Sequence, residues 1–222
     1  MGEQDQETRA RVLNAAARLF AERGFAKVTV RDICKKARAN VAAVNYHFGG
    51  KDGLYRAVVQ MAIDMMLSVT NDGIAAGKDL PPEERLRAYV GTFLRRIASR
   101  DINVTWIHHL MTRELADPTD ALGVVADQVM KPRMEYLCGI IGELLGCSTE
   151  DPRAVRCALS LQAQFQMLMW ISAFAKFAPG LDLATGGVEE MAEHITRFSL
   201  GGVQAVRLTG KLEPVGSAFR RT

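Results

Sequence analysis

Apolar residues recur at intervals of three and four positions from one end of the chain to the other. This spacing places apolar side chains on one face of each successive helix. Runs of alternating β-branched residues bounded by turn residues, which would indicate strands, are almost missing from the sequence. The pattern therefore predicts a nearly all-α protein.

The N-terminal quarter of the chain contains the signals of three short helices. The first helix is predicted to end at Gly24, because glycine readily adopts the left-handed conformation that ends helices. Thr29, with Asp32 three residues later, resembles a capping box that opens a second helix. Asn40 is placed to cap a third helix, which Gly49 ends. In that third helix, the residues predicted to face the core are Val41, Val44 and Phe48.

The remaining helices are predicted from Lys51 into the seventies and in five later segments. These segments lie around residues 86–97, 106–116, 122–145 with a kink at Pro132, 152–178, and 188–208. Residues 152–178 are apolar on more than one face, which indicates a second buried surface such as a dimer contact. We expect segments 121–145 and 151–178 to pack against their two-fold copies as a four-helix interface.

These helices predict two domains and a tail. The predicted boundaries are a helix-turn-helix domain at 1–56, a helical ligand-binding and dimerisation domain at 57–210, and a flexible tail at 211–222.

Composition narrows the class of protein. Apolar residues make up 48% and charged residues 24% of the 222 residues, which is ordinary for a globular protein. The acidic start and the lack of an apolar run of bilayer length predict a cytoplasmic protein without a membrane partner. The four cysteines form no C-x-x-C pair, which predicts reduced core thiols. No nucleophile and base at interpretable spacing and no phosphate loop appear, so we expect no catalysis, cofactor or metal.

Basic charge is concentrated in the N-terminal quarter. Residues 1–56 contain 11 Lys and Arg against 6 Asp and Glu, whereas residues 57–222 contain 17 against 19. The resulting net charges are +5 and −2. A phosphate-binding domain attached to a neutral body would have this distribution.

The third predicted helix carries side chains suited to reading DNA. Two short helices joined by a tight turn can insert the second helix into the major groove. Its small residues permit close approach, its amide can bond a base edge, and its other polar groups and the following lysine can reach phosphates. These residues are Ala42, Ala43, Asn45, Tyr46, His47 and Lys51. On spacing alone, a plain three-helix bundle with a polar face remains an alternative.

Residues 7–58 resemble the DNA-binding domain of the TetR/AcrR family of bacterial regulators. Four features agree in order: A-x-x-L-F-x-x-x-G-F ending at Phe25, T-V-R-D-I from Thr29, N-Y-H-F from Asn45, and K-D-x-L-Y from Lys51. The resemblance implies an all-helical homodimer that reads a palindromic operator in double-stranded DNA. It also implies a pocket for a small-molecule effector in the C-terminal body.

Individual roles follow from the matching positions. The resemblance implies that Thr29 and Arg31 contact the DNA backbone, that residues 40–47, beginning with Asn40, form the recognition helix, and that Lys51 clamps a phosphate. Two positions depart from the family pattern. Arg38 replaces the usual glycine of the turn, and Gly50 replaces the usual serine. If position 38 needs positive φ, Arg38 is strained by about 1 kcal/mol. The alternative is that its side chain adds a phosphate contact.

The body is similar to the subgroup with a CerR-like C-terminal domain. Its soft and aromatic side chains suit a pocket for an apolar or aromatic effector, although such residues at helical spacing also form ordinary cores. The candidate pocket residues are Trp106, His109, Met111, Met134, Gln164, Phe165, Met167, Trp170 and Phe174. Arg113 and Glu114 either orient a charged ligand group or belong to a solvated face. Adjacent His108 and His109 point about 100° apart on a helix, which disfavours a shared metal site.

The favoured hypothesis is a repressor that a ligand releases from DNA, with activation as a possible mode. Two alternatives stay open. One is an all-helical ligand carrier or small enzyme with an incidental basic N-terminus. The other is a DNA-associated protein whose body only dimerises or recruits a partner.

Overall fold

The computed structural model describes residues 3–98, 102–174 and 187–209, which form helices joined by short turns without any strand. The all-α prediction is confirmed. The helices are α1 (Glu3–Arg23), α2 (Val30–Ala37), α3 (Val41–Phe48), α4 (Lys51–Ala76), α5 (Pro82–Ala98), α6 (Ile102–Ala116), α7 (Asp120–Val125), α8 (Lys131–Leu145), α9 (Pro152–Phe174) and α10 (Gly187–Thr209). The predicted tail at 211–222 lies outside the described residues.

The chain divides into two compact units. The first contains Met1–Ser68 and Ser99–Met130, and the second contains Val69–Ala98 and Lys131–Thr222. Helices α6 and α7 thus belong to the same unit as α1, α2 and α3. The predicted domain boundary after residue 56 stays a prediction.

The core of the first unit joins the N-terminal helices to α6. Val12 and Phe20 of α1, Ile33 of α2, Leu54 of α4 and Leu110 of α6 are all buried in it. Burial of each such side chain contributes about 1.5–3 kcal/mol relative to exposure. α1 ends as predicted, because Gly24 has φ +81° and its N–H donates to Phe20 O at 2.8 Å.

The second unit packs α5, α8, α9 and α10 around its own core. α5 presents the apolar stripe expected from the sequence, including Leu86 and Tyr89, and α10 packs along α5. α8 contributes Leu137 and Ile141, and α9 contributes Phe165. Because this core is separate from that of the first unit, each unit is stabilised by its own buried apolar surface.

The kink expected near Pro132 is a π-helical turn. Residues Ala126–Met130 form this wide turn between α7 and α8, and Pro132 lies in the first turn of α8. Proline has no N–H to donate, and its ring would clash with the carbonyl four residues earlier. A π turn relieves that clash by widening the helix at this point.

Two further predictions from the sequence concern the state of the cysteines and membrane-spanning helices. All four cysteines are free, with Cys34 and Cys138 buried and Cys147 and Cys157 half-buried. In the described ranges, no helix combines the length and apolar character needed to cross a bilayer.

Candidate nucleic-acid interface

A capping box opens α2. The Thr29 hydroxyl accepts a hydrogen bond from the Asp32 N–H at 3.2 Å, and Asp32 Oδ2 accepts one from the Thr29 N–H at 3.0 Å. Thr29 Oγ1 also donates to Asp32 Oδ2 at 2.6 Å, and this bond keeps the pKa of the Asp32 carboxyl below its usual value. The predicted capping box is therefore present. It places the exposed Arg31 in the first turn of α2.

The turn between α2 and α3 places Arg38 in a left-handed conformation. Its φ and ψ are 51° and 48°, and its N–H donates to Cys34 O. An L-residue with a Cβ is disfavoured in this region by about 1–2 kcal/mol, whereas glycine is not. The strain foreseen for a positive φ at this position is thus present, and the Arg38 side chain is exposed.

Replacement of Arg38 by glycine should stabilise the protein. We expect Arg38→Gly to raise the free energy of unfolding by about 0.5–1 kcal/mol, because relief of strain outweighs the entropy that glycine adds to the unfolded chain. Urea denaturation measures this change. Arg38→Ala is the matched control, since it removes the guanidinium but keeps the strained Cβ. Equal stability of the two variants would show that the strain at position 38 is no larger than the cost of the entropy that glycine adds to the unfolded chain.

Both ends of α3 are capped. Asn40 Oδ1 accepts from the Ala43 N–H at 2.7 Å, and the Gly49 N–H donates to Asn45 O at 2.9 Å. The Asn40 oxygen is therefore engaged in the cap, while its NH₂ group keeps its donors. Val44 is buried as expected. The prediction that Val41 faces the core is wrong, because Val41, at the first position of α3, is 44% exposed.

The outward face of α3 carries small side chains beside one large one, Tyr46. Ala42 and Asn45 are exposed, and Tyr46 is 75% exposed. Ala43 is half-buried at the helix start. This face leaves room for a groove wall to approach the backbone, with the Asn45 amide and the Tyr46 hydroxyl as its polar groups.

His47 is turned toward α1 instead of lying on that face. Its Nε2 atom lies 3.2 Å from Asp5 Oδ1, and its imidazole is only 4% exposed. This placement suits a residue that positions α3 against α1. Direct contact of His47 with phosphate stays a prediction. Sequence reasoning missed Asp5, because nothing in the periodicity of α1 relates it to a side chain 42 positions later.

Lys51, at the start of α4, lies over the loop between α1 and α2. Its Nζ atom is 4.3 Å from the centre of the Phe25 ring and 3.5 Å from Ala26 O. An ammonium group has three donors, so these contacts leave Lys51 able to bond a phosphate while its position is held.

A second set of contacts ties α6 to the N-terminal helices. Glu114, only 3% exposed, accepts hydrogen bonds from the Tyr55 hydroxyl of α4 and from Thr119, whose N–H and Oγ1 lie 3.2 and 2.9 Å away. Burial, followed by the bond to Glu114, raises the pKa of Tyr55 well above its usual value, so Tyr55 remains a donor. The solvated-face interpretation of Glu114 is wrong. Trp106, Leu110 and Glu114 share one helical face, which was the available signal.

Arg113 completes this set by capping the end of α1. Its Nε donates to Ala21 O at 2.9 Å, and its Nη2 donates to Glu22 O. These carbonyls belong to the last turn of α1, where four carbonyls lack helical partners. We call Tyr55, Arg113, Glu114 and Thr119 the α6 joint. The joint fixes α6 to α1 and α4 within the first unit.

The predicted effector pocket is divided between the two units. Buried Trp106, half-buried Met111 and exposed His109 belong to the first unit. The second unit holds half-buried Met134 and Gln164, buried Phe165 and exposed Met167. The side chains of Trp170 and Phe174 lie outside the described part of the structure.

A small cavity lies in the first unit beside the α6 joint. It has a volume of about 210 Å³ and is lined by residues that include Phe20, Tyr55 and Arg113, but by none of the predicted pocket residues. Among the residues described, no group of three His, Cys, Asp or Glu side chains is arranged to hold a metal ion.

Family models match both parts of the chain. Residues 12–58 match the model of bacterial regulatory proteins of the tetR family. Residues 82–203 match the C-terminal domain of the HTH-type transcriptional dual regulator CecR. The subgroup expected above under the name CerR-like is the one that this model describes as CecR.

Individual relatives agree with these models. The chain is 27% identical over 158 residues to the dual regulator CecR of Shigella flexneri, which covers 68% of this chain and 70% of that protein. A TetR-like regulator from Rhodococcus sp. RHA1 has a similar fold, with a TM-score of 0.64, 19% identity, and coverage of 89% and 96% of the two chains. A transcriptional regulator from Pseudomonas aeruginosa PAO1 also has a similar fold, with a TM-score of 0.65 and 20% identity. The match covers 93% of this chain and 96% of that chain. At these identities the solved structures establish the fold alone.

Proposed function

The chain belongs to the TetR family of bacterial transcriptional regulators, with a CecR-type C-terminal domain, and we propose that it is a homodimeric repressor released from a palindromic operator by a small molecule. A regulator of this family is not an enzyme, so the alternative of a small helical enzyme falls away. The observation that carries the proposal is the outward face of α3.

This face has the size and chemistry of a major-groove reader. Both ends of α3 are capped, and its exposed residues are Val41, Ala42, Asn45 and Tyr46. Arg31 of α2, Arg38 of the following turn and Lys51 at the start of α4 supply positive charge in the same unit, which suits contacts with phosphates. We therefore assign base contacts to Ala42 and Asn45 and phosphate contacts to Tyr46 and these three cations.

Selection of genomic fragments with the purified protein tests the DNA-binding proposal. Recovered fragments should share a palindrome whose half-sites are about 34 Å apart, one turn of DNA, as expected for a two-fold dimer. Reporter expression from the recovered promoter, with and without the protein, then gives the sign of regulation. Recovery of no shared site would overturn the operator proposal.

The surface that we propose for dimerisation lies on α9 and α10. Leu159 and Met167 of α9 are 53% and 49% exposed, and Phe198 and Leu208 of α10 are 66% and 62% exposed. Clustered apolar side chains on a protein surface are typical of interaction sites. The apolar stripe of α8 is already buried in its own unit. We therefore propose a four-helix interface of α9 and α10 with their two-fold copies, in place of the 121–145 segment.

Charged substitutions on this surface should separate the protomers. We expect the double variant Leu159→Glu, Phe198→Glu to be monomeric at micromolar concentration, because two desolvated carboxylates per protomer would face their copies. Light scattering after size exclusion measures the mass, and operator binding should weaken as one half-site is lost. Leu115→Glu is the control, since Leu115 is 67% exposed but lies on α6. A dimeric double variant would place the interface elsewhere.

The α6 joint supports control of the reader by the body. Arg113 and Glu114 connect α6 to the end of α1 and the start of α4, the helices that hold α3 in place. A ligand that favours another position of α6 would change how the two α3 helices of a dimer fit their half-sites. Coupling of about 1–3 kcal/mol is typical of such regulation and is enough to release DNA.

A further inference from the structure

The cavity beside the α6 joint has apolar and aromatic walls. It lies within the first unit, has a volume of about 210 Å³, and is lined by Phe20, Phe25, Tyr55 and Leu110, among others. The three aromatic rings contact one another, with ring centres between 4.7 and 6.0 Å apart. A cavity of about 150 Å³ between apolar side chains is large enough for benzene. The cavity therefore has the size and the walls for a ligand with one aromatic ring.

The charged residues that line this cavity carry an excess of positive charge. Three cations, Arg23, Lys27 and Arg113, line it together with two acids, Glu114 and Asp117. Glu114 is buried and already accepts hydrogen bonds within the α6 joint. Arg23, Lys27 and Asp117 are exposed, so they lie where the cavity opens to solvent. With two cations against one carboxylate, this opening favours a ligand that is an anion.

Arg113 has donors for such an anion beyond those that the joint uses. Its Nε and Nη2 atoms donate to the carbonyls of Ala21 and Glu22. A guanidinium has five N–H donors, and two of them are on Nη1. A Cβ atom on Gly24 would lie 3.9 Å from Arg113 Nη1, and Gly24 also lines the cavity. The Nη1 donors are therefore near the cavity wall, where a carboxylate could accept from them.

The cavity shares two residues with the site that holds Lys51. Phe25 and Ala26 both line the cavity. They are also the contacts of Lys51 Nζ, which lies 4.3 Å from the Phe25 ring centre and 3.5 Å from Ala26 O. A ligand ring against Phe25 would therefore press on a side chain that positions Lys51. Its negative charge would also lower the positive potential around the lysine to which we assign a phosphate contact.

We propose that this cavity binds a small aromatic monoanion of the size of benzoate and that the bound anion weakens operator binding. Its ring lies against Phe25 and Leu110, and its carboxylate lies toward Arg113 and Lys27. Mostly apolar walls with a few convergent polar groups are typical of small-molecule sites. This would be a second ligand site, in the first unit and outside the C-terminal domain. Ligand binding is independent of the proposed repressor function, whereas the effect on the operator rests on it.

Titration of the full chain with three probes of nearly equal size tests the binding. The probes are 4-fluorobenzoate, neutral 4-fluorobenzamide and positively charged 4-fluorobenzylamine, and fluorine NMR measures the affinity of each. We expect the benzoate to bind at least about tenfold more tightly than either of the others, because only its charge-assisted hydrogen bonds match the cations of the cavity.

A variant that closes the cavity shows where the probe binds. Ala116 is the last residue of α6, is exposed and lines the cavity. We expect Ala116→Trp to weaken 4-fluorobenzoate binding at least about tenfold, because the indole occupies the volume of the probe ring. Ala76→Trp is the matched control, since Ala76 is the exposed last residue of α4 and does not line the cavity. It should bind the probe as wild type does, and thermal melting should show that both variants fold.

A second variant tests the choice of an anion. Lys27→Gln keeps a side chain of similar length but removes one positive charge from the opening. We expect the preference for 4-fluorobenzoate over 4-fluorobenzamide to fall about threefold or more in this variant, as for the loss of one partly solvated charge interaction. Because the amide serves as an internal reference, a change in the shape of the cavity alone would affect both probes and leave their ratio unchanged.

Fluorescence anisotropy with the selected operator measures the effect on DNA binding. Saturating 4-fluorobenzoate should weaken operator binding by wild type about fivefold or more, which is the lower end of typical coupling between two sites. It should leave operator binding by Ala116→Trp unchanged. Without probe, this variant should bind the operator as wild type does.

Equal affinity for the three probes, or wild-type affinity for 4-fluorobenzoate in Ala116→Trp, overturns the proposed site. Tight binding that leaves the operator affinity of wild type unchanged overturns the proposed effect on DNA. If no operator is selected at all, the proposed function fails, while the comparison of probes and variants still decides whether the cavity binds an aromatic anion.

Discussion

The double variant Tyr46→Ala, Lys51→Ala is expected to bind the selected operator about 100-fold more weakly than wild type, or worse. Tyr46 is the most exposed large side chain of α3, and Lys51, to which we assign a phosphate contact, is held in place by Phe25 and Ala26. Loss of contacts worth about 1–3 kcal/mol in each half-site accounts for this factor. Loss of Lys51 should also reduce the slope of log K against log salt by about 1 per half-site.

Fluorescence anisotropy across a salt series measures both quantities. Lys78→Ala is the charge-matched control, because Lys78 is an exposed lysine outside the first unit and should leave affinity and slope unchanged. Thermal melting checks that the double variant folds, since Lys51 also packs on Phe25. Unchanged operator affinity in a folded double variant would mean that α3 is not the reader.

The reader was largely predictable because its signals are local. A capping box, a glycine stop and an asparagine cap each act within four residues, and the structure contains all three at Thr29, Gly24 and Asn40. The strain at Arg38 was foreseeable for the same reason, since turn geometry constrains φ at one position. The presence of the helices was also predictable, because apolar residues recur at intervals of three and four positions along the chain.

Contacts between distant segments were not predictable in the same way. The approach of His47 to Asp5 and the bond from Tyr55 to Glu114 join positions 42 and 59 residues apart, and each partner alone resembles an ordinary polar residue. Arg133 shows the limit most clearly. A single arginine beside Pro132 carries no sequence signal of burial, and only the packing of α4, α5 and α8 reveals that it lies in a core.

These long-range contacts matter for the proposed control of the DNA-binding helix α3. The exposed surface of α3 carries the groups that we propose to contact DNA. Its position depends on α1 and α4, which are joined to α6 by hydrogen bonds of Arg113 and Glu114. Regulation through polar groups is sensitive to small displacements, because a hydrogen bond weakens steeply with misalignment. The α6 joint is therefore where stability and response should be affected together.

Glu114→Ala is expected to lower the free energy of unfolding by about 2–4 kcal/mol. The change removes the acceptor of the Tyr55 hydroxyl and of Thr119, and it leaves buried donors unsatisfied. Tyr55→Phe should cost less, about 1–2 kcal/mol, because the ring keeps its packing on Phe20, at 5.0 Å between ring centres. Urea denaturation measures both, with exposed Asp117→Ala as the control.

The double variant Tyr55→Phe, Glu114→Ala tests whether these two residues stabilise the protein together or independently. If Tyr55 and Glu114 act together, Glu114→Ala should cost less in the Tyr55→Phe background than in wild type, with a coupling energy of about 1–2 kcal/mol. Additive costs would mean that the bond between them contributes nothing to stability. Because the bond joins α4 to α6, a coupled pair should also respond as one unit to the effector: either single variant should weaken release of the operator, and the double variant should weaken it no further.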